Sequence, residues 1–170
     1  MNRRLLLGLA TSAATMLPGV RRTALAQEQV PGRLTVSGAI APALGGKKVY
    51  DIPELRQLPS ASFTTITPWT RGTHTFTGVY LKTLMAEVGA RNTMVRAFAL
   101  NDYTITIDLS DPAAARALIA YEQDGHPMRV RDKGPLWIVF PFSDYPKELL
   151  VDRVMGWAVW QLDAIEVLAP

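Results

Sequence analysis

Eight side chains in this sequence have the chemistry to hold a small molecule: Trp69, Arg71, Asn101, Asp102, Tyr103, Lys133, Arg153 and Trp157. Trp69 follows Pro68 in a stretch rich in Thr, Gly and Arg. An indole in such a loop can present its face for stacking. Asn101 and Asp102 stand side by side ahead of Tyr103. A carboxylate accepts two hydrogen bonds from adjacent N–H groups, and its charge strengthens them. Tyr103 adds a wall or an O–H group, and Arg71, Lys133 and Arg153 add cations that reach a carbonyl or a hydroxyl. Stacking, edge hydrogen bonds and charge together equip a site to bind a flat polar ring. Each group also has a plainer role: packing under the loop for Trp69, turn formation for Asn101-Asp102, solvated charge for the cations. Trp137 lies inside an apolar run and reads as core, Trp160 reads the same way, and Trp157, next to Gly156, is intermediate.

Equipment for bond-making chemistry is missing. There is no cysteine, so thiolate nucleophiles, thiolate metal ligands and disulfides are all excluded. His74 and His126 lie far apart with no metal-ligand spacing, and neither adjoins a nucleophile motif. Gly45-Gly46 lacks the residues of a phosphate-binding loop. No catalytic and no metal-binding residue is therefore assigned. Arg129, Arg131 and Lys133 alternate and would share one side of an extended segment, either as an anion site or as a charge-guarded edge; Asp132 points the other way.

The first 26 residues read as an export signal rather than as part of the fold. Arg3-Arg4 precede the apolar stretch Leu5 to Leu17, and Ala24-Leu25-Ala26 fits the small-x-small cleavage rule, so the mature chain begins at Gln27 and runs to residue 170. The stretch is too short to span a bilayer, which takes about 20 apolar residues. The twin arginine, with Arg21-Arg22 near the cleavage site, fits the Tat route, whereas Asn2 and Leu6 depart from its motif; Sec and Tat both stay open. The whole chain holds 18 basic and 15 acidic residues, and losing Arg3, Arg4, Arg21 and Arg22 leaves 14 against 15. The basic pI belongs to the signal, and nothing points to nucleic acid. The mature length suffices for one domain with its own core.

Periodicity and turn signals place the elements that would carry these residues. A first strand begins at Leu34 and runs into a loop around Pro42, Gly45 and Gly46. Asp51 and Pro53 start a short helix over 52–58. Residues 61–67 and 75–79 are extended. Leu81, Leu84, Met85 and Val88 recur at helical spacing, with Gly89 placed to end the helix. Strands over 95–100 and 103–107 flank the Asn101-Asp102 turn. Asp111 caps a helix to about residue 117. Strand 118–123, the hairpin pair Asp124-Gly125 and a returning strand over 127–131 follow. Leu136 to Phe140 is a buried strand, and Trp160 to Leu168 alternates, with one phase break, as the strand that closes the sheet. The fold class is α+β around a mixed sheet with a few short helices.

Several blocks, in order, carry a resemblance. They are Thr67-Pro68-Trp69-Thr70 with Gly78-Val79 and Leu81-Lys82-Thr83-Leu84; Ala99-Leu100-Asn101-Asp102-Tyr103; Leu118-Ile119-Ala120-Tyr121 with Asp124-Gly125-His126-Pro127-Met128; Lys133-Gly134-Pro135-Leu136-Trp137; and Trp160-Gln161-Leu162 with Ile165-Glu166-Val167. The set resembles the molybdopterin-binding domain of the sulfite oxidase family and covers most of residues 34–168. The resemblance implies that family's fold and a pterin-type pocket. In the family a cysteine about four residues before the Trp of the first block binds molybdenum. Here that position is Thr65, a hard and neutral oxygen where soft thiolate is selected.

A Cys-free branch fits better: the chain resembles PruR-type periplasmic pterin-binding proteins. That resemblance implies a periplasmic, non-catalytic protein that takes a reduced pterin as its ligand. It also implies a partner, an inner-membrane regulator with a periplasmic sensing region that makes or degrades cyclic di-GMP. Trp69, Arg71, Asn101, Asp102, Tyr103, Lys133, Arg153 and Trp157 are then the pterin contacts. The alternatives are a molybdopterin-dependent oxidoreductase that lacks the usual Cys ligand, or a scaffold with a vestigial pocket.

Overall fold

The computed structural model describes residues 32–170; the export signal expected over residues 1–26 lies outside them. The elements run β1 (Arg33–Gly38), β2 (Lys47–Asp51), α1 (Ile52–Leu55), β3 (Ser60–Ile66), β4 (Thr73–Tyr80), α2 (Leu81–Glu87), β5 (Met94–Ala99), β6 (Thr104–Asp108), β7 (Leu118–Gln123), β8 (His126–Pro127), β9 (Trp137–Val139), α3 (Pro146–Leu149), α4 (Asp152–Gly156) and β10 (Leu162–Val167). The α+β class holds, with the strands divided between two sheets. One has the order β2-β1-β10-β5-β6 and is mixed, because β1 pairs parallel with β10. The other has the order β3-β4-β7-β8, with β9 also on β7, and is antiparallel.

Alternation along the second sheet separates two cores. Ile119, Tyr121, Ile138 and Phe140 join Leu34, Val36, Leu81, Leu84 and Ile165 in the main core. Leu118, Ala120, Trp137 and Val139 turn the opposite way, onto Phe76 and Met128. Trp69 packs against both clusters. The main core is apolar throughout, and burial of each large side chain contributes roughly 1.5–3 kcal/mol.

The local signals act where they were read. Asp51 caps α1 with a reciprocal capping box to Glu54, although the helix ends at Leu55 rather than Leu58. α2 buries Leu81, Leu84 and Met85, and Gly89, at φ 60°, supplies the left-handed residue beyond it.

Four expectations need correction. β2 occupies residues to which no strand was assigned, pairing with β1 although its charged side chains leave only Tyr50 buried. The helix expected after Asp111 is a 3-10 turn over Ala114–Arg116: the Asp111 carboxylate accepts the Ala113 N–H, and Ala117 turns extended to enter β7. The returning strand stops at Pro127, and Val130–Asp132 form a 3-10 turn ending in left-handed Lys133. Arg129, Arg131 and Lys133 therefore do not share one side of an extended segment. Two hydrogen bonds from Gln161 hold that turn: its side chain donates to the Val130 carbonyl and its backbone N–H to the Lys133 carbonyl, each at 2.8 Å. Gly134 follows because a Cβ there would stand 2.2 Å from the Met128 carbonyl oxygen. Finally, α3 and α4 fill residues 146–156, to which no element was assigned.

Candidate functional site

A cleft of about 330 Å³ opens where α4 faces the β5–β6 turn. Trp69, Asn101, Tyr103, Asp152, Met155, Gly156, Ala158, Val159 and Trp160 line it. Its base is aromatic. Trp69 meets Trp160 edge-on with centroids 5.7 Å apart, Phe142 at 5.8 Å and Trp137 at 6.4 Å. Such edge-to-face contacts hold a ring without covering both of its faces. Trp69 stays partly exposed while Trp137 is fully buried. The loop carrying Trp69 is pinned by its own threonines: Thr67 and Thr70 share a hydrogen bond at 2.8 Å, and the Trp69 N–H donates to Thr67 Oγ1 at 3.3 Å.

The upper wall comes from the β5–β6 turn. Asp102 takes the left-handed conformation, φ 65°, that closes the turn. The Tyr103 N–H donates to Asn101 Oδ1 at 3.3 Å, and the Tyr103 hydroxyl donates to the Gly156 carbonyl at 2.9 Å. Asp152, Met155 and Gly156 sit on one side of α4, at the i, i+3 and i+4 spacing of a helix face.

Of the eight residues picked out from the sequence, Trp69, Asn101 and Tyr103 are brought together in the cleft wall. Lys133 stands close by, its ammonium 5.7 Å from the Trp160 ring centre and 5.9 Å from that of Trp137. The others lie outside the lining. Trp157 is only 4% exposed and donates its indole N–H to the Thr106 carbonyl at 3.0 Å, so it seals α4 onto β6. Arg153 is ion-paired with Asp111 and stacks over Trp157 at 4.8 Å. Arg71 is exposed, and its carbonyl faces His74 Nε2 at 2.9 Å. Asp102 is exposed at the turn.

Sequence reasoning missed Asp152, Met155 and Trp160. α4 has only five residues, too few to show a period, so its face was unreadable. The phase break read in the sequence falls inside β10, where the β10–β5 register shifts between Leu162 and Ala164, and it did not mark Trp160; just ahead of the strand Gln161 is left-handed, φ 55°.

Thr65, which the resemblance sets where a metal-binding cysteine is expected, does not line the cleft. It is 0% exposed. Its Oγ1 accepts the Ser143 N–H at 3.0 Å, and its own proton has the Ile66 carbonyl and Ser143 Oγ within reach at 3.2 Å. A hydroxyl so committed, in a chain without a thiol, does not fit molybdenum. Among the described residues, no three His, Asp or Glu side chains gather as a metal site. The fit to a planar ring is better, because the cleft offers indole surface and unspent polar groups.

His74, read as an isolated surface histidine, is half-buried and bridges two elements. Its Nδ1 lies 2.7 Å from Asp124 Oδ2 and its Nε2 faces the loop at Arg71. Asp124 Oδ1 also accepts the Thr75 N–H at 2.9 Å. The His74 contact, then the Thr75 N–H, hold the Asp124 carboxyl below its ordinary pKa.

The family model for the oxidoreductase molybdopterin binding domain matches residues 33–143, more than half of the chain. No curated protein matches the chain. The matched span contains Trp69, Asn101 and Tyr103, whereas α4 and Trp160 lie beyond it.

Proposed function

Because this chain belongs to the oxidoreductase molybdopterin-binding domain family, we propose that it keeps the family's ability to bind a pterin and has given up the metal chemistry. The observation that carries this reading is the pairing of an aromatic-based cleft with Thr65, whose hydroxyl is spent inside the protein. A reduced pterin stacks on the exposed indole surface of Trp69 and Trp160. Its polar edge meets the hydrogen-bonding groups at the β5–β6 turn and α4, and Lys133 stands at the aromatic wall for a carbonyl or side-chain hydroxyl.

The protein is exported to the periplasm by its N-terminal signal and works there as a non-catalytic ligand carrier. Its partner is an inner-membrane regulator whose cytoplasmic part makes or degrades cyclic di-GMP, as in the PruR-type proteins that the sequence resembles. Signalling requires the partner to distinguish loaded from empty protein. Tyr103, 42% exposed, and Leu100, 44% exposed, beside Asn101 supply an apolar rim that bound ligand would alter.

The test is to purify the protein from its native periplasm without oxygen, release the ligand, and read it by fluorescence and mass spectrometry. Molybdenum is measured on the same sample. A metal-free pterin at near one per chain supports the reading. Molybdenum at near one per chain would overturn it in favour of a Cys-free oxidoreductase, and neither would favour a scaffold.

A further inference from the structure

We propose that the cleft selects a 2-amino-4-oxo ring edge over a 2,4-dioxo edge, and that Asp152 is the residue that makes the choice. This inference rests on the pterin-binding reading and narrows it to one class of ring.

Three polar side chains line the cleft: Asn101, Tyr103 and Asp152. Their existing bonds fix what each has left to offer. Tyr103 has given its proton to the Gly156 carbonyl, so its oxygen faces a ligand as an acceptor. Asn101 Oδ1 already accepts the Tyr103 N–H, which leaves its amide NH₂ free to donate. Among the described residues Asp152 takes part in no ion pair or side-chain hydrogen bond, and its neighbour Arg153 is committed to Asp111. Asp152 is also one helical turn from Gly156 on the face that meets Tyr103. These three side chains thus offer a free carboxylate, one further acceptor and one donor.

A pterin edge presents an amine, a ring N–H and a carbonyl in a row. The amine and N–H match a carboxylate, which accepts both, and the carbonyl matches the Asn101 amide. A lumazine or flavin edge differs only in placing a carbonyl where the amine stands. The ring N–H still serves one carboxylate oxygen, but that carbonyl turns an acceptor toward the other, so the exposed Asp152 loses one donor just where a bound ring covers it from water. Rejection of an analogue that strands a polar group exceeds rejection by shape alone.

The experiment titrates the purified protein, anaerobically, with a tetrahydropterin and with the matching tetrahydrolumazine, following quenching of tryptophan fluorescence. The pterin is expected to bind at least about ten-fold more tightly. In Asp152→Asn, whose amide can donate to the extra carbonyl, pterin affinity is expected to fall at least about ten-fold while lumazine affinity holds or rises. Retained lumazine binding shows that the variant keeps its cleft. Equal binding of both rings to the native protein would overturn the selectivity while leaving the aromatic site intact. Unchanged preference in Asp152→Asn, or loss of both ligands, would remove Asp152 from the selecting role. Failure of the tetrahydropterin to bind the native protein would overturn the pterin-binding reading itself.

Discussion

The Tyr103 hydroxyl donates to the Gly156 carbonyl at 2.9 Å, and this single bond ties the β5–β6 turn to α4 across the mouth of the cleft. Replacing Tyr103 with Phe keeps the ring and removes the tie. The expected loss is about 0.5–1.5 kcal/mol of stability, the net worth of one such bond. Ligand affinity falls more than global stability does, because the two walls lose their spacing. Calorimetry of Tyr103→Phe with and without a tetrahydropterin separates the two effects.

Trp69 gives the cleft its base and packs on both cores. Trp69→Ala is expected to weaken pterin binding ten-fold or more, since a stacked aromatic contributes on the order of 1 kcal/mol beyond its buried area. Circular dichroism establishes that the variant is folded. An unchanged affinity in a folded variant would take Trp69 out of the site.

Thr65, buried, and Ser143, exposed, form a polar lock between the end of β3 and the chain beyond β9. Thr65→Val preserves shape and leaves the Ser143 N–H without its acceptor, at a cost of about 1–3 kcal/mol in denaturant unfolding. Thr65→Cys puts a thiol at a position that is buried and outside the cleft. Its thiol is expected to resist thiol reagents in the native protein and to react only on unfolding.

At Gly134 any side chain meets backbone. A Cβ would lie 2.2 Å from the Met128 carbonyl oxygen and 2.5 Å from its carbon. Gly134→Ala must therefore displace the chain that positions Lys133, and a loss above about 2 kcal/mol is expected, with weakened ligand binding. A melting curve matching the native one would sink this account of the loop.

Asp124 gives the fold a defined acid sensitivity. Its folded-state pKa is held below the ordinary value of 3.8, first by His74 and then by the Thr75 N–H. A depressed carboxyl stabilises the fold above its unfolded value and loses that contribution as pH falls through the folded value. Asp124→Asn is expected to be less stable than the native protein at neutral pH, and the gap should close as pH drops below 3.8. Parallel melting curves across the acid range would contradict the assignment.

What the sequence made legible follows the length of each signal. The spacing of Leu81, Leu84, Met85 and Val88 spans two helical turns and placed α2 almost to the residue. The Asn101-Asp102 pair marked a real turn, with Asp102 in the left-handed conformation. Trp69, Asn101 and Tyr103, two turn neighbours and one loop indole, fall together in one wall. The other wall was hidden because α4 is a single turn whose residues gain meaning only from Tyr103, far along the chain. Trp157 and Trp160 exchanged their expected surroundings for a similar reason. One is drawn under α4 by a bond to Thr106, and the other is turned into the cleft by the left-handed Gln161.

The parallel pairing of β1 with β10 orders events in the life of the chain. β1 lies between β2 and β10, so the centre of the first sheet stays incomplete until residues 162–167 have been synthesised. A ribosome-bound fragment ending before β10 leaves Leu34 and Val36, both fully buried in the finished domain, with an open flank. Such long-range closure is slow, because the intervening chain must be looped back before its contacts form. The sheet that carries the β5–β6 turn, and with it one wall of the cleft, therefore waits on its last strand.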